Sequence, residues 1–216
     1  MRLGLAIPCY LHHIPELIKL LDSIESQTVL PDHVVVSCSS TKELSLRKYP
    51  FRVDVITTEE RKNAAQNRNI ATRHLDTDIV SYMDADDLMH PQRLEFIKYV
   101  FENTDCEIAL HNHSVTEDYI IYPEIQYDYG KLVRAPSGCA VHTEDYRKMI
   151  THGHSSIKKE IFDKVQYRED EEYSRNEYHG GKEDALFCGD ILTFAKNVYI
   201  PLSLSFYFET GQILNR

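Results

Sequence analysis

Two groups of carboxylates have types and spacings that could do chemistry. The first is Asp84, Asp86 and Asp87, which directly follow the apolar run Ile79–Met83. Adjacent like charges repel one another, so their clustering at a strand end points to a compensating ligand. A divalent Mg2+ or Mn2+ ion fits, since it takes carboxylate oxygens together with substrate phosphate oxygens. Residues i and i+2 of an extended segment point the same way, which predicts that Asp84 and Asp86 converge on that ligand. The bland alternative is capping, with Asp86 or Asp87 at the start of a helix that opens at Pro91. The second group is Glu183–Asp184, just after Gly180–Gly181 and at the start of a helical pattern. A first-turn position favours ionised carboxylates through the helix dipole, and the glycines leave room for backbone close to a ligand. Either acid could serve as general base for a hydroxyl, although first turns also collect acids for capping alone.

The elements that must position these acids are legible as alternating patterns. Strand-like runs at Leu3–Ile7, His33–Ser37, Val53–Thr57, Ile79–Met83 and Glu107–His111 are separated by helical segments. Pro15 opens the first helix, whose stripe is Leu17, Leu20, Leu21 and Ile24. A second helix is predicted from about Glu60 to Leu75, and a third from Pro91 with Leu94, Ile97, Val100 and Phe101 buried. This βαβα order predicts an α/β fold, with a mostly parallel sheet flanked by helices, right-handed crossovers, and ligands at the carboxyl ends of the strands. At the first such end, Pro8 is expected to stop the strand, leaving Tyr10 to stack on a planar base. Beyond residue 112, short Tyr-rich runs suggest loops and antiparallel strands, where Tyr119, Tyr122, Tyr127 and Tyr129 either face a ligand or pack in the core. A last helix is expected over Glu183–Lys196, with Phe187, Ile191 and Phe194 in register, then a strand over Val198–Phe208 near the site.

Composition bounds the partners. The chain has 216 residues, 42% hydrophobic and 27% charged, enough for one compact domain with its own core. Lys and Arg number 24 against 34 Asp and Glu, a net charge of −10 without a basic stripe, so neither nucleic acid nor an anionic membrane surface is expected as a partner. The five cysteines are odd in number and form no CxxC pair, which signals neither a disulfide framework nor a zinc site and fits a reducing cytoplasm. No apolar run of about 18 residues occurs, so no membrane span is expected and the chain reads as soluble. The pairs His111/His113 and His152/His154 lack the further ligands that zinc needs.

Taken together, these residues resemble the inverting family-2 glycosyltransferases of the GT-A fold. The resemblance is carried by MDADDLMHPQRLE, similar to that family's DxD motif and following helix, by LGLAIPCY, by KNAAQNRNIA, and by GGKEDALFCGDIL, which looks like the family's ED motif. It is close over residues 1–112 and looser over 150–208. It implies a single Rossmann-like GT-A domain over 1–216, with a nucleotide-sugar-binding half at 1–112 and a smaller antiparallel, acceptor-binding half at 113–216. It implies a nucleoside-diphosphate hexose donor, most simply UDP-linked, a glycan or other hydroxyl acceptor, and Mn2+ or Mg2+ as cofactor. Residue by residue, Asp84 would contact the ribose and border the metal, Ala85 would line the donor site, Asp86 would hold the metal, and Asp87 would support the cluster. Asp184, beside Glu183, would be the catalytic base. Pro8 and Tyr10 match the loop that receives the nucleotide base, and Asn67 matches the Asn of the family's RN pair. His154 and Ser155 fall where the family places an acceptor-side segment.

Two departures accompany the match. The second strand ends Ser37-Cys38-Ser39-Ser40 where the family usually carries acids, so Ser37 and Ser39 offer an imide edge hydrogen bonds without charge. The RN pair reads Gln66–Asn67, which leaves Arg68 or Arg73 to supply the cation. A nucleotidyltransferase is the rival enzyme, but the loop PCYLHHIPE lacks the glycines of a phosphate loop. An inactive nucleotide-sugar or carbohydrate-binding module is the non-enzymatic rival, opposed by retention of both DADD and ED.

Overall fold

A computed structural model describes residues 1–115, 125–126, 128, 154–170 and 183–207. Tyr119, Tyr122, Tyr127, Tyr129, His152 and Gly180–Gly181 lie outside the described residues. Chain order is β1 (Leu3–Tyr10), a 3-10 turn (Leu11–His13), α1 (Ile14–Glu25), β2 (His33–Ser39), β3 (Arg52–Thr58), α2 (Ala64–His74), β4 (Ile79–Tyr82), β5 (Leu88–Met89) and α3 (Arg93–Asn103). Then come β6 (Ile108–Val115), β7 (Ser156–Lys158), α4 (Lys159–Phe162), α5 (Glu183–Leu192) and β8 (Asn197–Tyr207).

The described strands form one sheet in the order β3-β2-β1-β4-β7-β6-β8-β5. Its first four members are parallel, as the alternation predicts, and β7 then pairs antiparallel with both β4 and β6. Central strands β1 and β2 are buried along nearly their whole length, with apolar runs at Leu3–Ile7 and Val34–Val36, because both faces are covered. Leu3, Leu5, Ile7, Val34 and Val36 pack under α1 and α3, whereas Ala6 and Val35 face the layer built from α2, α4 and α5. Alternate residues of one strand thus serve two cores. Among the described residues no helix is long and apolar enough to cross a membrane.

Three expectations are corrected. Pro8 does not end β1, which continues in register with β2 to Tyr10↔Ser39. The carbonyl of Ala6 accepts from Met83 N–H, so Pro8, two residues on, turns its missing donor toward the β4 side. Pairing there stops at Ala6↔Tyr82, and the proline costs no ladder bond. Helix α3 begins at Arg93, two residues after Pro91, and its N-cap Gln92 makes no side-chain cap bond, so neither Asp86 nor Asp87 caps it. Finally, α5 stops at Leu192, and Phe194 is 50% exposed beyond it, against the Lys164 ammonium, not in the core.

Candidate active site

At the end of β4 the chain turns at once. Asp87 N–H donates to the Asp84 carbonyl at 3.3 Å, closing a turn over Asp84–Asp87, and buried Ala85 anchors it in the core. The expected i, i+2 convergence of Asp84 and Asp86 needs an extended segment; a turn instead brings its first and fourth residues together. Asp84, Asp87 and His154 accordingly present ligand atoms within 4.8 Å of one another. Asp86 is outside that trio. Burial, and then the Asp84 charge, raise its carboxyl above the usual range, and His13 and Glu16 are its other charged neighbours.

His154, expected on the acceptor side, is buried beneath this turn, its Nε2 2.9 Å from Asp87 Oδ2 and its Nδ1 2.6 Å from Ser205 Oγ. Ser155 is buried beside it, and its carbonyl accepts from Tyr82 N–H at 2.9 Å. Behind them lies Arg93, also buried. Its guanidinium donates to the carbonyls of Tyr82 and His154, both at 3.0 Å, and to His111 Nε2 at 2.9 Å. Because Arg93 can only donate, His111 Nε2 must accept, and its Nδ1–H donates to Asn112 O at 2.7 Å. That neutral ring, its pKa pushed well down by burial and by Arg93, stacks against His154.

The two carboxylate groups meet at Arg68. This buried side chain reaches Asp84 at 2.6 Å, Asp184 at 2.8 Å and Glu183 at 3.4 Å. Burial works against its charge, but Asp184, Asp84, Tyr167 and Glu183 outweigh that and hold it firmly protonated. Tyr167 lies beneath the guanidinium, 5.2 Å from ring centre to Cζ, and stacks on Phe187 of α5 at 3.8 Å. The same tyrosine is bonded reciprocally, main chain to side chain, with Asn69 of α2. Of the two arginines proposed to supply the cation, Arg68 is the one at the acids; Arg73 bonds Gln166 and Glu169 at the surface. Gln66 forms a capping box with Asn63 at the start of α2.

At the carboxyl ends of β1 and β2, the predicted donor residues separate into floor and rim. Ser37 Oγ donates to Asn67 Oδ1 at 2.9 Å, while Asn67 Nδ2 donates to Ser39 Oγ at 3.1 Å and to Cys9 O at 3.3 Å. All three side chains are buried with Pro8 and tie the strand ends to α2. Ser40, next in line, sits at φ 58° in the left-handed region. Tyr10 is half-buried at the rim, with the rings of His12 and His13 edge-on and the Arg61 guanidinium 5.8 Å from its centre. An aromatic face and the Arg61 guanidinium thus border a neutral polar floor.

The donor set at the turn suits a divalent ion. Tyr167, Arg93 and Ser205, and the partnership of Asp87 with His154, were missed in the sequence. The sequence signalled His154 only through the HxH pattern and its place in the family's acceptor-side segment, not as a partner of Asp87.

The family model for Glycosyl transferase family 2 matches residues 5–165. An uncharacterized glycosyltransferase of Haemophilus influenzae is 30% identical over 112 residues, 50% of this chain and 38% of that protein. S. aureus TarS in complex with UDP superimposes with a TM-score of 0.71 at 15% identity, covering 100% of this chain and 63% of that one. The mannosyltransferase PcManGT from Pyrobaculum calidifontis, in complex with GDP-Man and Mn2+, gives 0.62 at 16% identity, covering 95% and 56%. The fold is that of the GT-A glycosyltransferases, and the chain spans less than two thirds of each of these relatives.

Proposed function

This chain belongs to glycosyl transferase family 2, and from that premise we propose that it moves a hexose from a nucleoside-diphosphate sugar to a hydroxyl of a glycan or similar acceptor, with inversion. The observation that carries the reading is the Arg68 junction, which joins acids about a hundred residues apart in sequence, Asp84 on the donor side and Asp184 on the other, through contacts of 2.6 and 2.8 Å. UDP is the favoured carrier. The second strand ends Ser37-Cys38-Ser39-Ser40, with no carboxylate there to match the paired donors of guanine. TarS has been crystallised with both UDP and UDP-GlcNAc.

In this reading Tyr10 at the rim receives the nucleoside, above the Ser37–Asn67–Ser39 network that ties the strand ends to α2, and Asp84 lies at its ribose and diphosphate. Asp84, Asp87 and His154 hold Mn2+ or Mg2+, with Asp86 beside them. The ion, when bound, supplies positive charge to the departing diphosphate. Asp184, aimed by Arg68, takes the proton of the acceptor hydroxyl. The acceptor oxygen bonds to the anomeric carbon from the face opposite the diphosphate, and the old carbon–oxygen bond breaks, its electron pair leaving with the nucleoside diphosphate. Glu183 shares Arg68 and steadies the base.

The test is product analysis with UDP-, GDP- and dTDP-hexoses, Mn2+ and an acceptor panel. We expect nucleoside diphosphate release with UDP donors, and Asp184→Asn should lower turnover by about 10²- to 10⁴-fold while donor binding persists. Wild-type turnover in Asp184→Asn, or release of pyrophosphate from nucleoside triphosphates, would overturn the reading.

A further inference from the structure

We propose that Ser205 is a positioning residue for a divalent cation at Asp84, Asp87 and His154, an inference that rests on the cation reading above. Asp87, His154 and Ser205 form a hydrogen-bonded line, Oδ2 to Nε2 at 2.9 Å and Nδ1 to Oγ at 2.6 Å. Carboxylate, imidazole and hydroxyl in that order also describe a nucleophilic triad. Here, however, the hydroxyl is completely buried in β8, in register with Met89 of β5 and His113 of β6, where no substrate can approach it. Its available partner is the ring.

What the ring needs is an adaptable neighbour. An imidazole gives one nitrogen to a cation only when its proton sits on the other, and that proton must then find an acceptor. With Nε2–H directed at Asp87, Nδ1 accepts from the Ser205 hydroxyl. With Nε2 turned over to a cation, Nδ1–H donates to the same oxygen. A hydroxyl serves both arrangements without moving, because it donates and accepts. The rest of the ring's surroundings are fixed: Arg93 clamps the His154 carbonyl at 3.0 Å, and neutral His111 stacks on the ring. Ser205 is therefore the group that lets His154 change partner while keeping its orientation.

The test measures Mn2+ binding to the purified full chain by the electron paramagnetic resonance signal of free Mn2+, with and without UDP, and thermal melting confirms that each variant is folded. Wild type should bind, and Ser205→Ala should weaken binding about 10- to 100-fold, as loss of an outer-shell partner does elsewhere. Ser205→Thr, which restores the hydroxyl, should recover affinity to within a few fold. If Ser205→Ala binds like wild type while His154→Ala loses Mn2+, the role of Ser205 is refuted and the cation site stands. If wild type binds no Mn2+ in either series, or His154→Ala and Asp87→Asn bind like wild type, the cation reading fails and this proposal with it.

Discussion

Two arginines are buried within the same small volume of this fold, and they are held in opposite ways. Arg68 is ringed by the carboxylates of Asp84, Asp184 and Glu183. Arg93 is held by two main-chain carbonyls, a neutral imidazole and the Met89 sulfur. The consequence is electrostatic. The acids more than offset the burial of Arg68, whereas burial pulls Arg93 down to about 9, still charged at neutral pH but at a standing cost. A guanidinium among carboxylates joins groups that can do chemistry. One among carbonyls joins pieces of backbone: the end of β4, the segment at His154, and the first turn of α3.

Breaking the first arrangement should have the larger effect. Arg68→Gln strands the carboxylates of Asp84, Asp184 and Glu183, and on the roles proposed for Asp84 and Asp184 turnover should fall at least about 10²-fold. Loss of one partner from a buried ionic group also destabilises by roughly 3–5 kcal/mol. That deficit should carry a signature. Stranded carboxylates have their pKa values raised in the folded state, so the deficit is greatest near neutral pH and shrinks as the solution is acidified and they take up protons. Melting curves of Arg68→Gln and wild type between about pH 5 and 8 measure it. A difference constant across that range would show that the acids are not charged neighbours of Arg68.

Arg93→Met tests the other arrangement. It removes a buried charge but leaves the Tyr82 and His154 carbonyls and His111 Nε2 without their donor, and each unsatisfied buried acceptor costs about 1–3 kcal/mol. Relief of the buried cation offsets part of this, so a net loss of about 3 kcal/mol is expected. Unlike the Arg68 deficit, it should be nearly flat between about pH 6 and 8, because the two carbonyls carry no charge and burial, the largest influence on His111, still favours its neutral ring once Arg93 is gone. Denaturant titrations at the two pH values check this, and a strongly pH-dependent loss would make Arg93 a second ionic junction, against the comparison drawn above.

The same contrast explains what could be read from the sequence. Strand ends, helix stripes and the two acid groups were legible because each is a local pattern: β4 delivers the acids, and Glu183–Asp184 opens α5 as expected. Which acids gather with His154 was not, since it depends on a turn whose hydrogen bond brings ligand atoms of Asp84 and Asp87 within 4.8 Å of that ring's. Gln66 was read as a lost cation, yet it caps α2 while Arg68 supplies the charge. Arg93 was beyond reach altogether. Its partners are mainly backbone carbonyls, which every residue has, so no residue type marks them in advance.

The smallest effect is expected at His33, a buried ring whose carboxylate partner lies half in water. Its side chain is 0% exposed while that of Asp54 is 43% exposed; Nε2 is 3.0 Å from Asp54 Oδ2. On the other side Asp76 N–H donates to Nδ1 at 3.5 Å. These contacts assign a neutral ring with its proton on Nε2. A second proton would displace the Asp76 bond and bury a charge, and burial accordingly lowers the pKa of His33 even though Asp54 pulls it up. With the folded value below the unfolded one of about 6.5, the unfolded chain holds the extra proton first. Stability from this group therefore falls as pH drops below about 6.5, and stops falling once the folded ring also titrates, with a slope of at most about 1.4 kcal/mol per pH unit. His33→Gln retains an N–H for Asp54 and cannot take up the proton. Between about pH 7 and 5 its melting temperature should decline less steeply than that of wild type. Parallel curves would mean that one half-solvated carboxylate suffices to hold a buried ring at its ordinary proton affinity, and that the number of acids around Arg68 matters less than their presence.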